Sequence, residues 1–147
     1  MRKYYKMPKH IKSYITFELY NYNNYVKKIK EEKNNIINSS AYNDGQPRGN
    51  QTSNSTLDKV IKIENSNKIK IYEDKIKKID RAFNNLKTDE RKIAEIIFKK
   101  GYSQLYAENY EYIGKETYYN IKNKLIYLTA IEYGEILEEE NEKHYTK

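Results

Sequence analysis

Along residues 9–38 the apolar side chains fall at Ile15, Leu19, Tyr22, Val26, Ile29 and Ile36, in steps of four and three that Lys33 interrupts. That is the a/d spacing of a helix packing along one seam. Pro8 stands just ahead, where a missing N–H costs a helix nothing. A second row, Leu57, Ile61, Asn65, Ile69, Tyr72, Ile76, Ile79, Phe83 and Leu86, predicts another long helix over residues 56–86. Asn65 lies on this row inside Asn65-Ser66-Asn67. Either the helix breaks there, or the asparagine is a polar, register-setting position in the seam. Between the rows, residues 39–55 read SSAYNDGQPRGNQTSNS, turn and loop chemistry too polar to pack. Two long helices joined by such a flexible loop pair most simply antiparallel, stripe against stripe.

After Leu86, Thr88 is placed to cap a helix whose first turn holds Asp89 and Glu90. That helix carries Ile93, Ile96, Ile97 and Phe98 and stops at Lys99-Lys100-Gly101, with glycine as C-cap. A short helix over 103–110, a turn over 111–114 and a final helix over 115–139 follow. The expected fold class is all-α: two long helices forming an antiparallel coiled-coil-like arm, followed by a small helix-turn-helix unit. The corresponding domains are the arm at 1–87 with its loop at 39–55, the helix-turn-helix at 88–139 and an acidic tail at 140–147.

Composition removes several functions. Without cysteine there are neither disulfides nor thiolate metal sites. No stretch approaches the ~18 apolar residues of a membrane span. The basic residues 1–8 lack an apolar segment behind them, so a cytoplasmic protein without a membrane partner is the expectation. The two histidines, His10 and His144, are far apart, and no phosphate-cradling loop, metal-ligand cluster or nucleophile elbow occurs. Carboxylate pairs such as Glu31-Glu32 and Asp89-Glu90 read as solvated helix positions. Neither an enzyme nor a cofactor is expected. The net charge of +7 points instead to an acidic partner, most commonly nucleic acid. Residues 1–40 carry nine Lys/Arg against three acids, and 56–87 nine against five. Residues 101–130 hold three of each, and the end of the chain is acidic.

The stretch GYSQLYAENYEYIGKETYYNIKNKLIYL, residues 101–128, is spaced as helix, turn, helix. Ala107 permits a close crossing, Ile113 plugs the turn, and Tyr118, Ile121, Leu125 and Leu128 line one face of the second helix. The opposite face then presents Lys115, Glu116, Thr117, Tyr119, Asn120 and Asn123. Amide and hydroxyl groups suit base edges, and Asn120 is the best candidate for a bidentate adenine contact. Lys115, Lys122 and Lys124 suit phosphates. An ordinary helical hairpin with a solvated polar face fits the same spacing.

Residues 87–126, KTDERKIAEIIFKKGYSQLYAENYEYIGKETYYNIKNKLI, resemble the region-4-type helix-turn-helix of sigma-like factors. The chain as a whole is similar to the phage and prophage RinA/ArpU/LtrA-type transcriptional regulators. In these a long helix leads to an Asp-Gly-x-Pro-Arg-Gly loop, matched by Asp44-Gly45-Gln46-Pro47-Arg48-Gly49, then a second long helix and a terminal helix-turn-helix. The resemblance implies activation of late phage or mobile-element genes at double-stranded promoter DNA, together with RNA polymerase. The family's Ser-x-x-Thr-x-Tyr start of the recognition helix falls on Gly114, Lys115, Glu116, Thr117, Tyr118 and Tyr119. Glycine replaces the serine cap, and the turn between Ala107 and Thr117 is one residue longer than the sigma-type spacing, which leaves the base-reading register open. Arg48 is a candidate contact to a phosphate or a polymerase surface, against the plain reading of its loop as a turn. Because the helix-turn-helix is electrically neutral, its affinity has to come from the basic long helices or from a protein partner. Homo-oligomerisation stays open. So do two rival readings: a DNA-packaging protein of small-terminase type, and a coiled-coil adaptor that does not bind DNA.

Overall fold

The computed structural model describes residues 6–39, 52–100 and 114–137. Among these residues all regular structure is helical and no strand occurs: α1 (Lys9–Tyr20), α2 (Tyr22–Ser39), α3 (Thr52–Asn65), α4 (Asn67–Asn84), α5 (Thr88–Phe98) and α6 (Lys115–Glu132). The loop motif with Arg48, the short helix expected over 103–110, the turn over 111–113 and the acidic tail lie outside the described residues. No helix among the described residues is long and apolar enough to cross a membrane.

Each expected long helix is interrupted once. The helix expected over 9–38 breaks at Asn21, whose backbone N–H is shared between the Phe17 and Glu18 carbonyls at 3.1 and 3.2 Å. The Asn21 side-chain amide also donates to the Phe17 carbonyl, at 2.7 Å. An asparagine that bonds back to the preceding turn competes with helix propagation. The two readings of Asn65 resolve in favour of a break. Asn65 is exposed, and Ser66 caps α4 by accepting the Ile69 N–H on its hydroxyl at 3.3 Å.

Close contacts group the chain into two compact units, one of which is Asn24–Ile76. There α2 and α4 run antiparallel. Tyr25 stacks on Tyr72 with ring centroids 5.5 Å apart, and farther along, Glu32 meets Lys68 at 3.7 Å. Lys28 and Lys75 sit over the Tyr72 and Tyr25 rings, at 5.5 and 4.9 Å. Part of the lysine surplus is thus absorbed by tyrosine faces rather than offered to solvent. The inward row of α2 is Tyr25, Ile29, Glu32 and Ile36, a regular three-four spacing. Val26, expected in the seam, is 46% exposed, whereas Tyr25 is 5% exposed. Lys33, which breaks the expected row, is half-buried and reaches Glu73 at 3.8 Å. Leu57 and Ile61 of α3 are likewise exposed, because the break at Ser66 frees α3 from the phase of α4.

The second unit comprises Met1–Asn23 and Lys77–Lys147. Here α1 and α5 both pack against α6, and Ile15, Leu19, Phe83, Ile93, Ile97 and Leu125 belong to one apolar cluster. Glu18 is also buried, 1% exposed, and accepts the Tyr14 hydroxyl at 3.0 Å. The corner between α4 and α5 is closed by Arg91. Its Nε donates to the Phe83 carbonyl (3.1 Å), and its Nη2 to those of Asn84 (3.2 Å) and Leu86 (3.4 Å). The cap of α5 is Lys87, one residue before the expected Thr88, and the Lys87 N–H donates to Glu90 Oε1 at 3.1 Å. At its other end α5 is tied down by Lys99. The ammonium lies 4.4 Å from both the Tyr22 and Phe83 rings and 3.7 Å from Asp80. Asp80 also accepts the Tyr22 hydroxyl at 2.8 Å. Burial first, then the neighbouring Asp80, pushes the Tyr22 phenol up to about 12.

The final helix, expected to reach residue 139, ends at Glu132. Gly134 adopts φ 73°, its N–H donates to the Ile131 carbonyl (2.9 Å), and the Glu135 N–H donates to that of Ala130 (3.0 Å). This double closure is a Schellman stop, and its left-handed residue favours glycine.

Candidate nucleic-acid interface

Helix α6 starts from Gly114, an extended residue (φ −74°, ψ 162°) without a side-chain cap. Its two halves differ. Residues from Leu125 to Ala130 are buried nearly all round, with Leu125, Thr129 and Ala130 fully enclosed. The Thr129 hydroxyl is satisfied internally, donating to the Leu125 carbonyl at 2.8 Å. Over the first two and a half turns only Tyr118 and Ile121 are buried. The inward row is therefore the expected one, although Leu128 is only half-buried.

At 100° per residue the remaining side chains of that first half form one outward face. Lys115, Glu116, Thr117, Tyr119 and Asn120 are exposed, and Asn123 is half-buried at its edge. The Tyr119 ring meets Tyr118 edge-on at 5.2 Å. The helix thus has a C-terminal half buried nearly all round and an N-terminal half that is buried only along Tyr118 and Ile121 and otherwise exposed and polar. Such a helix can present amide and hydroxyl groups to base edges without ordering them at the moment of binding.

Two expected phosphate contacts have partners within the protein. Lys124 is half-buried and donates to Glu90 Oε1 at 2.9 Å. Lys122 is half-buried with its ammonium 5.8 Å from the Tyr20 ring, and Tyr20 packs on Phe98 at 4.8 Å. Lys115 remains as the exposed lysine at the tip of the face.

Comparison with family models, with curated proteins and with solved structures found no match.

Glu90, expected to be solvated, instead joins the start of α5 to α6. Burial is the largest single influence on its carboxyl and pushes it up. The hydrogen bonds from Lys124 and the Lys87 N–H, with the charges of both lysines, push it down further, and the net position is below the ordinary value. Since the folded-state value is the lower one, Glu90 stabilises the fold fully above the unfolded carboxyl range. That contribution is lost as pH falls through the lowered value. Urea midpoints are expected to fall over that acid range, and Glu90→Gln is expected to flatten this part of the profile. An unchanged profile in the variant would show that the pair contributes nothing. Nothing in the sequence marks Glu90 for this role, because its partner is 34 residues away. Among the described residues no group of His, Asp or Glu is arranged to hold a metal ion.

Proposed function

We propose that this chain is a DNA-binding transcription regulator that reads promoter DNA through the outward face of α6 and acts together with RNA polymerase. The observation that carries the reading is the division of α6, whose first half is held to the core by Tyr118 and Ile121 and exposes a polar face, while its second half is enclosed nearly all round. The basic charge of the whole chain and the resemblance to phage and prophage regulators support it further. In this reading Asn120 pairs with a base edge, Thr117 and Tyr119 add polar and apolar contacts, and Lys115 meets a phosphate. Lys124, tied to Glu90, positions the helix more than it touches DNA.

The test is binding of the full chain to a labelled duplex from the neighbouring late-gene promoter at physiological salt. Asn120→Ala is expected to weaken binding by about 1–3 kcal/mol, and much less on a duplex whose contacted adenine is replaced. Lys115→Ala is expected to weaken all duplexes alike and reduce the salt dependence by about one counterion. Wild-type affinity in the Asn120→Ala, Lys115→Ala double variant would refute the reading and leave an adaptor that does not use this face. In vitro transcription with core polymerase, with and without the housekeeping sigma factor, then separates sigma replacement from sigma assistance.

A further inference from the structure

The outward face of α6 has two sides, and they differ in charge. Toward α1 stand Lys115, Tyr119 and Lys122, which steps of four and three place along one line of the helix. Toward α5 stand Thr117, Asn120 and Lys124, spaced by three and four. The neighbours fix these directions, since Lys122 lies by Tyr20 of α1 and Lys124 reaches Glu90 of α5. The Glu90 carboxylate cancels the charge of Lys124 at 2.9 Å. A ring 5.8 Å away leaves the Lys122 ammonium its full charge. Tyr20 itself is 48% exposed, with its ring packed on Phe98. The single acid within α1, Glu18, is buried.

We infer that the DNA backbone runs along the α1 side of α6, where the Lys122 ammonium and the Tyr20 hydroxyl together bind one phosphate. This rests on the reading of α6 as the DNA-facing helix. A phosphate calls for positive charge and a hydrogen-bond donor held in place. Lys122 supplies the charge and Tyr20 the donor, and Phe98 holds the phenol ring so that little freedom is lost on binding. On the α5 side the Lys124–Glu90 pair has no net charge, so Thr117 and Asn120 are left to base edges. Glu116 stands on the ridge between Tyr119 and Asn120, where its carboxylate repels a phosphate. The charge difference across α6 therefore sets which way round the duplex lies. It also makes α1, far from α6 in sequence, a second DNA-contacting helix.

Binding of the full chain to the promoter duplex and to a duplex of shuffled sequence, over a range of salt, tests this. A phosphate contact carries no sequence information, so both duplexes should respond alike. Lys122→Gln is expected to lower the slope of log affinity against log salt by about 0.9, the value for one phosphate contact. The double variant Glu90→Gln, Lys124→Gln, which removes a pair without altering net charge, should leave the slope unchanged. Tyr20→Phe keeps the ring and removes the hydroxyl, and should weaken both duplexes about tenfold. Methylphosphonate substitution, one phosphate at a time, should find a position where the wild type loses affinity and neither Lys122→Gln nor Tyr20→Phe loses more. An unchanged slope in Lys122→Gln, or wild-type affinity in Tyr20→Phe, overturns the proposal. If Asn120→Ala still weakens the promoter duplex in that case, the reading of α6 stands and only the path of the backbone is wrong. A wild-type chain that binds neither duplex overturns both.

Discussion

Leu125→Ala is expected to cost about 2–5 kcal/mol of stability, the usual range for truncating a fully enclosed leucine. Leu125 is 0% exposed and sits where α6 changes from a one-sided to an all-round buried helix. Tyr118 and Ile121 precede it on the inward row, and Ile126 and Ala130 follow in the same apolar cluster. The vacated volume has little to collapse into it, because the neighbouring side chains belong to regular helices. The enclosed part of α6 also fixes the direction of the polar first half. On the proposed reading of α6, promoter binding should therefore weaken together with the urea midpoint, although none of Lys115, Thr117, Tyr119 and Asn120 has been altered. Urea unfolding followed by circular dichroism measures the loss. A change below about 1 kcal/mol would mean that α6 is not anchored through Leu125.

Arg91→Ala is expected to cost about 1.5–3 kcal/mol, the range for hydrogen bonds from a charged donor. The guanidinium reaches the Phe83, Asn84 and Leu86 carbonyls at once, so its loss takes a donor from each of these acceptors after α4, although the Phe83 carbonyl keeps the Leu86 N–H. Partial exposure lowers the figure, since water replaces some of these bonds. Arg91→Lys should recover little of the loss. An ammonium is a point donor and cannot span carbonyls that a planar fork reaches from two nitrogens. Full recovery by lysine would show that only the positive charge at the helix end matters. The same urea experiment distinguishes the two.

The all-helical class, the antiparallel arm and the inward row of α6 were legible in the sequence, because long apolar periodicities survive one or two misplaced residues. The breaks were less legible. Asn21 lies in an otherwise unbroken helical pattern, and its back-bonding to Phe17 is a choice that asparagine can decline in another context. Ser66 was visible as a weak point, but only its bond to the Ile69 N–H decides for a cap. Val26 was the obvious seam residue by hydrophobicity. Tyr25 takes the seam instead, because its ring finds Tyr72 across it, and the row runs on through Ile29, Glu32 and Ile36. Gly134 was a stop signal in plain view, overridden by the apolar and acidic residues that continue a helical pattern beyond it. For the candidate site, the exposed residues Lys115, Glu116, Thr117, Tyr119 and Asn120 follow from spacing alone. The withdrawal of Lys124 and Lys122 into contacts with Glu90 and Tyr20 does not, because it depends on elements distant in sequence.

The unit that contains α6 is assembled from two separated stretches of chain, with the whole Asn24–Ile76 unit between them. Chains are made from the N-terminus, so α1 leaves the ribosome with its Ile15 and Leu19 face unmatched and waits for α6 to be synthesised. Closing so long a loop is entropically slow, and folding rates fall as contacting residues lie farther apart in sequence. The intervening hairpin shortens the search. Once Tyr25 has met Tyr72 and Lys75, the two stretches of backbone that must cooperate leave its base as neighbours. Zipping of the arm is in this sense a kinetic prelude to the unit that holds α6, and weakening the Tyr25–Tyr72 stack would delay a unit to which neither ring belongs.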